Sequence, residues 1–234
     1  ELISLLKSDV LKRSDFLKQP VDLVENRLYS IKNYGSAMAP FYTVLSLWVG
    51  ILLLMSLLST NVHGDYKPNE VYFGRGLTFL TLTIIQALIV SLGDIYFLKV
   101  QAVNIPLFIL ISVFTSIVFT AIVYSLVSIF GNVGKAIGVV LLVIQVAGSG
   151  GTFPIQVTPQ FFQNVYPLLP FTYAISAMRE AVGGIYMPNL TKDISTLAIF
   201  IVVFVIFTVF FKKPINKVTE KIQDRFNESD LTGH

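Results

Sequence analysis

Two amides and one carboxylate stand inside otherwise apolar runs: Gln86, Gln145 and Asp94. A carboxylate in hydrocarbon is a candidate for proton or ion handling, and a buried amide needs a partner. Asp94, in SLGDIYF, lies about four residues, or roughly 6 Å of helix rise, from the end of its run. That favours an interfacial position, with Lys99 as a candidate partner, over a relay in mid-membrane. Gln86 and Gln145 fall near the middle of their runs, where hydrogen bonding between helices is the reading and substrate contact the alternative.

Other chemistry is sparse. GNVGKA shares the Gly-Lys of a phosphate loop, but Ala136 follows Lys135 where Ser or Thr is needed, and Ile129 stands where the first Gly should be. His63 beside Asp65 reads as a solvated loop histidine, and neither G-x-S-x-G nor H-E-x-x-H is present. The absence of cysteine removes disulfides and thiol nucleophiles. No enzyme, metal site or cofactor is read from these residues. The net charge of +3 comes from Lys and Arg scattered at the flanks of apolar runs, not from a basic stripe with aromatics, so nucleic acid is not a partner.

The elements that must carry the three polar groups are membrane helices. The chain is 54% hydrophobic and 13% charged, with a mean hydropathy of +0.72, too apolar for a water-soluble globule. Uncharged or nearly uncharged runs at about 38–60, 77–98, 105–130, 134–153 and 195–211 predict five transmembrane helices in an all-α integral membrane protein. Gly134 and Gly138 make a small-xxx-small step suited to close helix packing. Residues 1–32 form a charged stretch with Leu2, Leu5, Leu6, Val10 and Leu17 near helical spacing until Pro20. It reads as the end of an extracytoplasmic domain, with a surface-lying amphipathic helix as the alternative. The start at Glu1, without a signal sequence, suggests the C-terminal piece of a longer chain.

Lys and Arg near the run ends favour a cytoplasmic tail over 212–234, which puts the N-terminal end outside. The stretch NYGSAMAPFY, 33–42, is then the outer entry of the first span. There Gly35, Ser36 and Ala37 let the chain turn in, Pro40 sits in the first helical turn, and Tyr34 and Tyr42 suit the interfacial belt. The segment 154–194 is apolar yet broken by Pro154, Pro159, Pro167 and Pro170. Its freed backbone groups need protein or water partners, so it reads as a re-entrant or interfacial hairpin at the outer surface. Arg179 and Glu180 follow on a short helix that ends at glycines.

The order Ser149-Gly150, Phe153-Pro154, Pro159, Pro170, Tyr173, Arg179 and a following Gly resembles the re-entrant region of ABC-2-type permeases. Asn33, Tyr34, Gly35, Ser36, Met38, Pro40, Phe41, Tyr42 and Trp48 narrow the resemblance to the C-terminal membrane region of the YhgE/Pip family, named for the phage infection protein. The resemblance runs from about residue 16 to the end. It implies one further N-terminal span and a large extracellular domain upstream, a bacterial cell-membrane location, and export or transport across that membrane. It also implies a partner: a nucleotide-binding subunit, supplied by another chain, facing the cytoplasmic loop that carries Asp65, Lys67, Glu70 and Arg75. A homodimer would complete the path. The same resemblance also supports an anchor for a phage receptor or for a type VII-like secretion scaffold.

Overall fold

The computed structural model describes residues 31, 33–58, 66 and 68–228; of 68, 69 and 213–228 only the backbone path is described. The chain divides into two units, Glu1–Ser30 and Ile31–His234, and the described residues belong to the second. The N-terminal leucine pattern, His63, Asp65 and Lys67 lie outside the described residues.

Among the described residues every regular element is helical. They are α1 (Tyr34–Leu57), α2 (Pro68–Tyr96), α3 (Ile105–Phe130), α4 (Asn132–Gly148), α5 (Gln160–Val165), α6 (Pro170–Gly183) and α7 (Met187–Glu228), with single 3-10 turns at Ile155–Val157 and Tyr166–Leu168. Four stretches are long and apolar enough to cross a bilayer: Tyr34–Leu57, Glu70–Tyr96, Ile105–Phe130 and Met187–Lys212. The apolar helix α4 is shorter, with 17 residues or about 25 Å.

Helix starts lie earlier than the uncharged runs because capping and proline chemistry set them. Asn33 caps α1, its Oδ1 accepting from the Ser36 N–H at 2.8 Å. Pro40 is consequently inside α1, not in its first turn, and a helical N–H is missing there. Pro68 opens α2, so Glu70 and Arg75 belong to a helix and not to a loop. Asn104 caps α3 by accepting from the Leu107 N–H at 3.0 Å. The α3–α4 turn is made by Gly131 alone, at φ 56°. Past the glycines at 183 and 184, α7 starts at Met187 with Pro188 as its second residue, well before 195.

The middle of the bundle is α3, which packs against α1, α2, α4, α6 and α7. Its buried groups include Trp48's neighbour Phe119 and a row of hydroxyls at every fourth position: Ser112, Ser116, Thr120 and Tyr124, continued by half-buried Ser128. Such a row forms one stripe along a helix. Ser112 and Thr120 donate to the Phe108 and Ser116 carbonyls of α3, while Ser116 donates to the Thr83 carbonyl of α2 at 2.8 Å. The stripe therefore joins α2 to α3 without leaving these donors bare in an apolar interior.

α4 approaches α3 and α1 through glycines. A Cβ on Gly134 would lie 2.2 Å from the Leu126 carbonyl oxygen, and one on Gly138 would lie 2.7 Å from Leu52 Cδ2. Gly134→Ala should lower stability by about 1–3 kcal/mol, because the obstructing atom is backbone. Gly93→Ala, where nothing lies within 4 Å, should leave it unchanged or raise it by up to about 1 kcal/mol. Thermal unfolding of both variants in detergent checks the contrast.

Candidate functional site

The broken segment after α4 is built around charge and carbonyls. Gly150 takes φ 65°, a left-handed conformation, and the turn that follows places the Gly150 and Gly151 carbonyls beside Arg179 of α6. Arg179 Nη2 donates to both, at 3.2 and 2.9 Å. Burial around the guanidinium lowers its pKa below the ordinary arginine value, and the Tyr166 phenol works in the opposite direction. The arginine thus supplies donors to carbonyls that the end of α4 leaves without a helical partner.

Each further break is closed in a similar way. Pro154 precedes one 3-10 turn, Pro159 precedes α5, and Pro170 opens α6. The Phe171 N–H at the start of α6 is accepted by Gln145 Oε1 of α4 at 3.3 Å. At the other end of α6, the Val103 and Asn104 N–H groups donate to the Val182 and Ala181 carbonyls. Thr172 and Tyr173 hydroxyls return to the Tyr166 and Pro167 carbonyls at 2.9 and 2.7 Å. Glu180 accepts from the Tyr186 N–H and from Asn189 Nδ2 at the entry of α7. Arg179 and Glu180, adjacent in sequence, brace opposite ends of the segment. Phe153 is exposed.

Trp48 seats this segment on the spans. Its ring meets Phe119 edge-on at 4.9 Å and Phe171 at 5.6 Å, and Phe119 stacks on Phe171 at 5.3 Å. The indole N–H donates to the Gly138 carbonyl at 3.2 Å. One side chain of α1 therefore touches α3, α4 and α6 together. Gly151 adds a second closure, since a Cβ there would lie 2.3 Å from Phe41 Cδ2.

The polar residues inside the runs are placed as follows. Gln86 Nε2 donates to the Ser46 and Leu47 carbonyls of α1, at 3.3 and 3.4 Å, through a gap left by Gly50. Asp94 accepts from Thr43 Oγ1, so its hydrogen-bond partner is on α1; Lys99 lines the same cleft without filling that role. Tyr34 and Tyr42 are exposed near this end, and Ser36 Oγ accepts from the Gln101 N–H at 2.9 Å. Gly35 has room, since a Cβ there would meet only Asn33 Oδ1, at 3.5 Å. At the opposite end Glu70 is exposed on the first turn of α2. Arg75 is half-buried and acts electrostatically on Tyr124, which stacks on Tyr72 at 5.0 Å.

Two charged groups sit where the sequence pattern does not place them. Lys212, expected in a solvated tail, is buried at the end of the α7 span. Its Nζ donates to Ser128 Oγ at 2.9 Å and lies 5.4 Å from the Tyr72 ring centroid. Asp193 is 4% exposed, bonds Ser176, and has an Oδ2 without a hydrogen-bond partner among the described residues. The four-residue hydroxyl spacing of α3 was the one available signal; neither charge had a sequence motif.

Apolar helices of spanning length, interhelical hydrogen bonds and a proline-broken hairpin define a polytopic α-helical membrane domain. Residues 5–210 match the family described as ABC-2 family transporter protein, and the chain belongs to that family. It is also 30% identical over 167 residues to "Uncharacterized protein YhgE" of Bacillus subtilis (strain 168), a similarity covering 70% of this chain and 22% of that protein. The chain thus spans less than a quarter of that relative's length. No solved structure matches it.

Two sets of variants test the bracing. Arg179→Ala should cost about 1.5–3 kcal/mol, as expected for charged hydrogen bonds lost. In the cysteine-free chain it should also speed maleimide labelling of Thr152→Cys, with Arg179→Lys intermediate. Gly50→Ala should cost about 1–3 kcal/mol by expelling the Gln86 amide, and Gln86→Ala in the same chain should recover most of it. Equal labelling rates, or no recovery, would show that these contacts hold nothing in place.

Proposed function

We propose that this chain is the membrane-spanning part of an exporter in the bacterial cell membrane, driven by a nucleotide-binding subunit on another chain. The observation that carries the reading is the family match over 5–210, which includes the proline-broken hairpin and its Arg179 brace. The N-terminal end of α1 faces outside and the α7 end faces the cytoplasm. The sequence before α2, with Asp65 and Lys67, and the exposed Glu70 on the first turn then meet the partner. Arg75 backs that surface from the Tyr72 and Tyr124 side. Two copies enclose the path, and the chain itself hydrolyses nothing.

A second reading has one specific observation in its favour. Many polar groups of the spans are used by internal bonds: Gln86 Nε2 to α1, Gln145 Oε1 to α6, and Ser112, Ser116 and Thr120 of α3 to α2 and to α3 itself. This suits a lipid-like substrate, or a domain that anchors an extracellular phage receptor or a type VII-like secretion scaffold, better than an ion carrier.

The test is mild-detergent purification of the full-length protein from its native membrane, with mass spectrometry of what co-purifies. A stoichiometric nucleotide-binding subunit, lost when residues 65–75 are replaced, is the expected result. Recovery of secretion components, or of the protein alone with unchanged phage adsorption, would favour the anchor.

A further inference from the structure

The first turns of α1 and the end of α2 enclose a cleft of ≈ 390 Å³, lined among others by Ser36, Tyr42, Thr43, Asp94, Leu98 and Lys99. It carries both signs of charge at different depths. Asp94 is half-buried, and its Oδ2 is fixed by the Thr43 hydroxyl; Lys99 is exposed at the rim.

Lys99 occupies a position where glycine would be easier. The Leu98 N–H returns to the Gly93 carbonyl at 3.1 Å and the Val100 N–H to the Asp94 carbonyl at 2.9 Å. That closes α2 with a residue in the left-handed conformation, the usual place for glycine. Lys99 takes φ 57° there, alone among the described non-glycine residues. The side chain therefore stands at a position of unfavourable local backbone preference, and it puts an ammonium group at the rim of the cleft.

The surroundings indicate what approaches. Tyr42, Tyr96, Phe97 and Leu98 are exposed at this end of the α1–α2 pair, between 59% and 87%. Aromatic and apolar side chains at that depth suit the region where headgroups meet acyl chains. A ligand that satisfies the cleft has a hydrogen-bonding cation to reach Asp94, an anion to meet Lys99, and apolar chains to lie along these residues.

We propose that the cleft is a headgroup site for a zwitterionic aminophospholipid of the phosphatidylethanolamine type. The primary ammonium sits against Asp94 and the phosphate against Lys99. Acyl chains run down beside Tyr42, Phe97 and Leu98. The proposal does not depend on a nucleotide-binding partner and applies equally to an exporter or an anchor.

Native mass spectrometry of the full-length protein, after exchange into nanodiscs of equal phosphatidylethanolamine, phosphatidylcholine and phosphatidylglycerol content, tests it. Phosphatidylethanolamine should be retained at least tenfold over the other two. Asp94→Asn should abolish the preference. Lys99→Gly should reduce retention while melting no lower than wild type, because glycine suits φ 57°. Equal retention of the three lipids, or an unchanged preference in both variants, would overturn the proposal. Binding of free phosphoethanolamine as tightly as the intact lipid, with nothing gained from the acyl chains, would overturn the assignment to a lipid and point to a soluble zwitterion.

Discussion

Trp48 lies where α1, α3, α4 and α6 meet, and its position depends on how closely α4 can approach. Gly138 permits that approach and offers the carbonyl that accepts the indole N–H. With the indole fixed, Phe119 and Phe171 complete a three-ring cluster whose edge-on and stacked contacts are geometrically selective. The cluster gives the proline-broken segment a defined seat on the spans. Without it, a proline-broken apolar chain would have little to fix its depth.

The second constraint is that an apolar environment leaves no water for stray backbone groups. Every break between α4 and α7 is accordingly tied to a neighbour. Gln145 accepts from the first turn of α6, Arg179 serves the Gly150 and Gly151 carbonyls, and the link before α3 serves the last carbonyls of α6. A substrate path through this end would have to disturb a connected set of bonds, not a single side chain. That coupling suits a rigid-body movement of the hairpin with α1, α3 and α4.

Composition made the apolar spans legible, and the prolines made the broken segment legible, because both signals are local. Helix ends were less so. Hydropathy sees the uncharged part of a helix, whereas Asn33, Pro68 and Pro188 start helices in sequence that still carries polar or charged residues. The interhelical role of Gln86 and Gln145 followed from cost alone, but their partners did not. Thr43 with Asp94 and Ser128 with Lys212 are pairings between distant segments that no spacing rule encodes. Asp193 falls inside the broken segment read over 154–194, with no pattern to mark it, and the early start of α7 places it on a helix where it is buried.

Through Trp48 the proline-broken segment and the spans become one unit. A double-mutant cycle with Trp48→Leu and Phe171→Leu, read by reversible unfolding of the protein in mixed micelles, tests this most directly. The two substitutions should be coupled by about 0.5–1.5 kcal/mol beyond the sum of their separate effects. Strict additivity would mean that the hairpin is held by other contacts and that the ring cluster is only filling space.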